Sequence, residues 1–320
     1  MSSDTVTDTT TAPRGRAGRT EPTSQAGRPA RGTDATPPRR TAGTPPRSTA
    51  WLPNSLVSVF VLVVVVLQLV PFYVALTTSL KAKTDLSPQL AFPVANLTLD
   101  NFVQAVSQGG IFRAMLNSVL VAGVSTLLVC LLGALAAYPL ARRRTRFNKA
   151  VLSLNVGLMM VPALSILVPL YSLLSTMHAL NTYWGVILVM VTTGLPLAIF
   201  LYSSFMQTLP VSVEEAARID GANLFQTLFY VVIPMLKPVT ATVGIITGVG
   251  VWNEYALSGY ILTTPETRTI APAIASFFSI QSSNLPTAAA AALIAVIPIV
   301  VAYLFLQKYF VRGLVGAEKG

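Results

Sequence analysis

A single cysteine, Cys130, and a single histidine, His178, stand in 320 residues. One cysteine excludes a disulfide framework and a thiolate metal cluster within the chain. One histidine, in a short loop between apolar runs, excludes a histidine metal site and leaves no base for a Ser/His or Cys/His nucleophile. It reads as a solvated surface residue. The chain contains no Gly-Lys dipeptide, so it has no phosphate-cradling loop ending in Gly-Lys-Ser/Thr and cannot be its own P-loop ATPase. Charge is scarce as well, with only 11% of residues Asp, Glu, Lys or Arg. No pair of carboxylates stands inside an apolar run, where a proton-coupled carrier would keep them. The reading is of a non-enzyme that binds no metal and no cofactor of its own.

What is abundant is apolar. Hydrophobic residues make up 53% of the chain, a balance that belongs to polytopic membrane proteins. Six apolar runs, near 56–80, 115–140, 150–174, 184–206, 238–255 and 288–310, are long enough to cross about 30 Å of hydrocarbon as helices. The start of the fifth is blurred by Pro234, Lys237 and Pro238. Alternating short strands are missing, which argues against a β-barrel. The predicted fold class is an all-α membrane protein with six transmembrane helices.

The net charge of +10 does not point to nucleic acid. Much of it lies in an Arg-rich N-terminal tail and in the cluster Arg142, Arg143, Arg144, Arg146 and Lys149 between the second and third runs. The positive-inside rule puts such clusters on the cytoplasmic face. The loop 175–183 has no Lys or Arg, whereas the C-terminal tail carries Lys308, Arg312 and Lys319. Both termini are therefore expected in the cytoplasm, in a multi-pass membrane protein.

Residues 1–50, rich in Thr, Pro, Arg, Gly and Ala, cannot bury enough surface to offset their ordering entropy and are expected to be disordered. They read as an orientation-setting extension weakly attracted to membrane lipids. Residues 51–320 form the expected membrane domain, and the first apolar run is too long for a signal-peptide core. In the loop 81–112 the pair Asp100 and Asn101 can cap a short interfacial helix. Gly244 and Gly248, four apart, give the fifth run a smooth face, as Ala288 to Ala292 do for the sixth, for ordinary helix packing within one subunit. Prolines 139, 162, 169, 196 and 298 should mark kinks or local unwinding.

The most organised polar segment is the loop at about 210–234. Pro210 ends the fourth run. Ser212 and Glu215 have capping-box spacing, with the Ser212 hydroxyl able to accept from the amide of residue 215. Ala216 and Ala217 offer a flat small face. Glu214, Glu215, Arg218 and Asp220 offer charge pairs to a partner, and Gly221 supplies the turn that ends the helix. Asn223 can cap a second short helix that Pro234 interrupts. A helix lying on lipid wants a cationic polar face; here the polar side is mainly acidic, so a protein partner is expected.

At these residues the chain resembles a family. Glu-Ala-Ala, three residues and then Gly, closed by 231–234 (VVIP), looks like the signature of membrane subunits of binding-protein-dependent ATP-binding-cassette importers. The longer form 215–222 (EAARIDGA) resembles the carbohydrate branch, in particular the second permease of maltose-type transporters. The runs 181–184 (NTYW), 252–255 (WNEY) and 307–314 (QKYFVRGL) are similar to that branch too. The resemblance covers roughly residues 55–320. It implies a type I ABC importer permease fold and inward movement of a sugar or oligosaccharide. It also implies four kinds of partner: a second homologous permease, two ATP-binding-cassette ATPase subunits that hold the ATP and Mg, and an extracytoplasmic sugar-binding protein. By the same resemblance Glu214, Glu215, Ala216, Ala217, Arg218, Asp220 and Gly221 would couple to the ATPase. Asn155, Asn253 and Glu254 are candidates for the substrate path, although Glu254 equally suits an outer-interface residue. The loop 276–284, with Ser276, Phe277, Phe278, Gln281 and Asn284, aligns with one that reaches into the binding protein, and reads otherwise as a polar connector. The tail after Gly313 resembles one that touches the ATPase, but it is shorter and departs at 315–318. Two alternatives stand beside this reading: a secondary carrier working without ATP, and a permease of the same family for a non-sugar solute.

Overall fold

The computed structural model describes residues 54–316 apart from 86, 95, 108, 280 and 281, with backbone only beyond residue 305. The expected disordered tail, 1–50, Gln281 and residues 317–320 lie outside the described residues.

Helix α1 (Asn54–Ser79) is 26 residues long, about 39 Å at 1.5 Å per residue. Its valines and leucines have no polar face, and none of its apolar window is buried against the rest of the chain. The segment after it is folded by satisfied polar groups rather than by apolar packing. Lys81 is buried, and its Nζ donates to the carbonyls of Ser87 (3.2 Å) and Pro88 (2.5 Å). Helix α2 (Asp100–Ser107) forms where the Asp/Asn pair predicts one, but Asn101 is no cap: buried, it donates through Nδ2 to the carbonyls of Ser79 and Lys81, both at 2.8 Å.

The centre is α3 (Ile111–Arg142) packed along α6 (Tyr183–Thr208) and α10 (Lys237–Trp252). Small residues set these distances. A Cβ placed on Gly133 of α3 would lie 2.9 Å from the Ala198 Cβ of α6, closer than van der Waals contact permits, so the α3 backbone there lies directly against the Ala198 methyl. Gly244 and Gly248 of α10 face Thr126 and Cys130 of α3, the packing within one subunit that their spacing predicts. Around them Val129, Ala137, Tyr202, Met206, Leu236 and Val243 are buried in one apolar cluster.

Two of the six predicted spans are broken. Helices α4 (Arg146–Leu158) and α5 (Leu167–Thr176), joined through a 3-10 turn at Ala163–Ile166, bend by 92°. The break falls at Pro162, held at ψ 127°, and the residue before a proline is itself driven out of the helical region. The fifth run is bent by 73° between the segment ending at Met235 and α10. That segment, Leu224–Met235, comprises α8 (Leu224–Gln226), a π-helical turn Thr227–Val232 and α9 (Ile233–Met235), and α7 (Ser212–Ile219) precedes it. Among the described residues four helices are long and apolar enough to cross a membrane, and six spans result if each bent pair is one.

The remaining prolines do not interrupt their helices. Pro139, Pro196 and Pro298 sit inside continuous helices, as Pro71 does. Pro169 lies in the first turn of α5, where the amide it lacks has no intrahelical acceptor anyway. After α10 come α11 (Ala256–Ile261), α12 (Ile270–Ala275), a two-stranded hairpin pairing Phe278 with Ser283 and Ser279 with Ser282, and the long α13 (Leu285–Gly316).

Candidate functional site

The polar loop is a helix as its sequence predicts, but its start is built otherwise. Ser212 is the first helical residue, and the cap position belongs to Val211, whose side chain makes no capping bond. The Val211 carbonyl takes the amides of both Glu214 (3.0 Å) and Glu215 (3.1 Å). The expected capping box at Ser212 and Glu215 is therefore absent, because Pro210 and Val211 already turn the backbone into the helix one residue early.

The end follows the prediction. Gly221 has φ +88°, a conformation that costs an L side chain roughly 1–2 kcal/mol. The amide of Ala222 reaches the carbonyl of Ala217, and that of Gly221 reaches Arg218, both at 3.0 Å. These two bonds are the Schellman closure of a helix C-terminus. Asn223 then caps α8 in a full capping box: its Oδ1 accepts from the Gln226 amide (2.9 Å), and Gln226 Oε1 accepts from the Asn223 amide (2.8 Å).

The side chains of α7 sort into two directions. Glu215, Ala216, Arg218 and Asp220 are exposed and Ala217 is half-buried. Ile219 is 86% exposed, and beyond the turn Phe225 and Tyr230 are 70% and 79% exposed. Asp220, Gly221, Ala222, Gln226, Tyr230 and Val231 line an open depression of about 320 Å³. Three large apolar side chains thus stand exposed on a polar loop.

Glu214 goes the other way. It is 3% exposed, and its Oε1 lies 2.6 Å from Arg142 Nη2 and 2.7 Å from Arg142 Nε. Its Oε2 accepts from the Tyr138 hydroxyl at 2.9 Å. The expectation that Glu214 presents its charge to a partner is thus corrected: that charge is spent inside the fold. Arg142 likewise leaves its basic cluster, since Arg143, Arg144, Arg146 and Lys149 are exposed. Sequence reasoning missed Tyr138 and Arg142. Arg142 stands 72 residues before Glu214, and nothing local announces the pairing.

The substrate-path candidates are not brought together. Asn155 is buried and donates to the Pro196 carbonyl at 2.8 Å, which ties α4 to the proline site in α6. Asn253 is exposed, its Nδ2 on the Val249 carbonyl at 2.9 Å. Glu254 caps α11, accepting from the amides of Leu257 (2.8 Å) and Ser258 (2.7 Å). In the loop 276–284 Ser276 and Phe278 are exposed, and Phe277 is half-buried beside Gly109. Asn284 Oδ1 accepts from the Thr287 amide in the first turn of α13 (3.4 Å).

At the end of the bundle away from α7, other residues do the fastening. Asn181, at φ +55°, accepts through Oδ1 from the amides of Thr263 (2.7 Å) and Thr264 (3.0 Å) and from the Thr263 hydroxyl (3.0 Å). Asn117 donates to the carbonyls of Glu266 (3.0 Å) and Arg268 (2.9 Å), and its Oδ1 accepts from the Tyr183 hydroxyl (2.8 Å). Among the described residues no group of three His, Cys, Asp or Glu could hold a metal ion.

This layout is that of a polytopic helical membrane protein with an exposed polar helix between two of its spans. The chain belongs to the family described as "Binding-protein-dependent transport system inner membrane component", whose model matches residues 129–316. It is similar to the melibiose/raffinose/stachyose import permease protein MelC of Bacillus subtilis (strain 168), 42% identical over 267 residues, 83% of this chain and 96% of that protein. It is 33% identical to the sulfoquinovosyl glycerol transport system permease protein SmoH of Agrobacterium fabrum over 77% of this chain and 87% of that one. The trehalose transport system permease protein SugB of Mycobacterium tuberculosis is 31% identical over 79% and 93%. Among solved structures, a bacterial ABC transporter involved in import of the acidic polysaccharide alginate superposes with TM-score 0.69, at 19% identity, over 80% of this chain and 96% of that one. The fold is that of a type I ABC importer permease.

Proposed function

We propose that this chain is one of two permease subunits of an ATP-driven importer that moves a sugar or oligosaccharide into the cytoplasm. The observation that carries the substrate class is the similarity, over about four-fifths of the chain, to permeases named for melibiose, raffinose and stachyose and for trehalose. Hydrolysis belongs to two separate ATPase subunits, which hold the ATP and Mg, and delivery to an extracytoplasmic sugar-binding protein. This chain binds no cofactor and catalyses nothing itself.

Under this reading both termini and α7 lie in the cytoplasm. Glu215, Ala216, Arg218 and Asp220, with the apolar Ile219 beside them, form the docking face, and Gly221 sets its angle to α8. Closure of the ATPases would bind one orientation of α7 better than the other and so shift the spans between inward- and outward-open populations. The second permease is supported by α1. Gln68 stands exposed halfway along that bare helix, and a side-chain amide in hydrocarbon is costly without a hydrogen-bond partner. A neighbouring membrane subunit supplies one; lipid tails do not. The loop 276–284 would meet the binding protein. The path for sugar would run by α4, α6 and α10, where Asn155 and Glu254 shape it through the helices they hold and Asn253 offers a free face.

Purification of this chain from its native membrane should bring down an ATPase subunit, and proteoliposomes of the complete transporter, with the binding protein and sugar outside, should take up sugar only when ATP is enclosed. Gly221→Pro should abolish that uptake. If no ATPase associates and Gly221→Pro leaves uptake unchanged, the reading fails.

A further inference from the structure

The docking face of α7 is open, but a helix that transmits force must also be fastened on its other side, and α7 has almost nothing apolar with which to do it. Of its eight residues only Glu214 is buried, while Val213 is 38% exposed and Ile219 86%. An apolar contact so thin would slide. The fastening is a charge instead.

Arg142 is the last residue of α3. Its guanidinium meets Glu214 through Nε and Nη2, and its Nη1 donates to the carbonyls of Met206 (2.6 Å) and Leu209 (3.3 Å) at the end of α6. Tyr138, one turn earlier on α3, takes the second carboxylate oxygen. One arginine therefore joins the C-terminal ends of both central helices to the first turn of the contact helix. The polarity is favourable at each point, a cation at two helix C-termini and an anion at an N-terminus. A fork of N–H donors on a carboxylate fixes direction as well as distance, so α7 cannot tilt without moving α3 and α6.

We infer that Arg142, Glu214 and Tyr138 form the joint that passes movement of α7 to α3 and α6, with Arg142 and Glu214 as positioning residues for coupling rather than docking residues. The inference rests on the docking reading of α7.

The test is transport per ATP hydrolysed, measured in proteoliposomes holding the complete transporter with its ATPase subunits and binding protein. Glu214→Gln and Arg142→Lys should lower that ratio at least about fivefold, the lower range of coupling free energies between sites. Tyr138→Phe, which deletes one hydroxyl and keeps the ring, should lower it about twofold while the ATPase still co-purifies. A slower transporter with an unchanged ratio in Glu214→Gln and Tyr138→Phe overturns the inference, because a staple needed only for folding changes amount and not ratio. Loss of ATPase capture in Tyr138→Phe overturns it too. If Arg142→Lys or Glu214→Gln fails to assemble, Tyr138→Phe decides alone. Asn117→Ala, at the opposite end of α3, serves as the control: an equal fall in its ratio would deny the joint any special role. Failure of the docking reading is seen separately, as wild-type chain that captures no ATPase or as Glu215→Lys that captures it normally.

Discussion

The two ends of the bundle are tied by different chemistry. At the end carrying α11 and α12, neutral side chains hold neighbouring backbone: Asn117 on Glu266 and Arg268, Asn181 on Thr263 and Thr264, and the Ser118 hydroxyl accepting from the Ile270 amide at 2.8 Å. At the α7 end, a single buried ion pair with a tyrosine joins three helices. Many neutral bonds lose their members one at a time. A desolvated charge pair fails as a unit, because removing one partner leaves the other uncompensated. Under the joint inferred above, the α7 end moves as a block, and the second arrangement suits that.

The largest expected effect breaks that pair. Glu214→Ala leaves the Arg142 cation, with its side chain 13% exposed, without its anion and should destabilise by about 3–5 kcal/mol, read as a lower unfolding temperature in detergent. At the opposite end Asn117→Ala removes two donated bonds and orphans the Tyr183 hydroxyl, for about 1–3 kcal/mol. An Asn117→Ala loss as large as that of Glu214→Ala would erase the distinction between the ends. The smallest effects sharpen the geometry of the contact loop. Asn223→Ala deletes a working cap and should cost about 1 kcal/mol. Ser212→Ala, at a position that caps nothing, should stay within about 0.5 kcal/mol. A reversal of that order in thermal melts would restore the capping box at Ser212.

Much of this was legible in the chain. The apolar runs announced the spans, Gly221 its left-handed turn, Asn223 its cap, and 215–222 its family. Each of those signals is local, a matter of a few consecutive residues and their backbone needs. The misreadings were also local in origin. Ser212 had the right neighbour for a capping box, but Val211 had already entered helical backbone, at φ −68° and ψ −26°. Pro162 and Pro196 look alike in an apolar run, yet one breaks its span and the other sits inside a helix that Asn155 braces from outside.

The sequence by itself determined that this is a helical membrane protein of the permease family, and which of its polar loops is a built helix. Hydrophobic run length and the Glu-Ala-Ala to Gly spacing need no tertiary contact to be read. Only the tertiary structure decided which of two adjacent glutamates stays exposed. Glu214 and Glu215 are chemically identical, and a helix turns about 100° per residue. One therefore falls on Arg142, brought from 72 residues away, and the other on solvent.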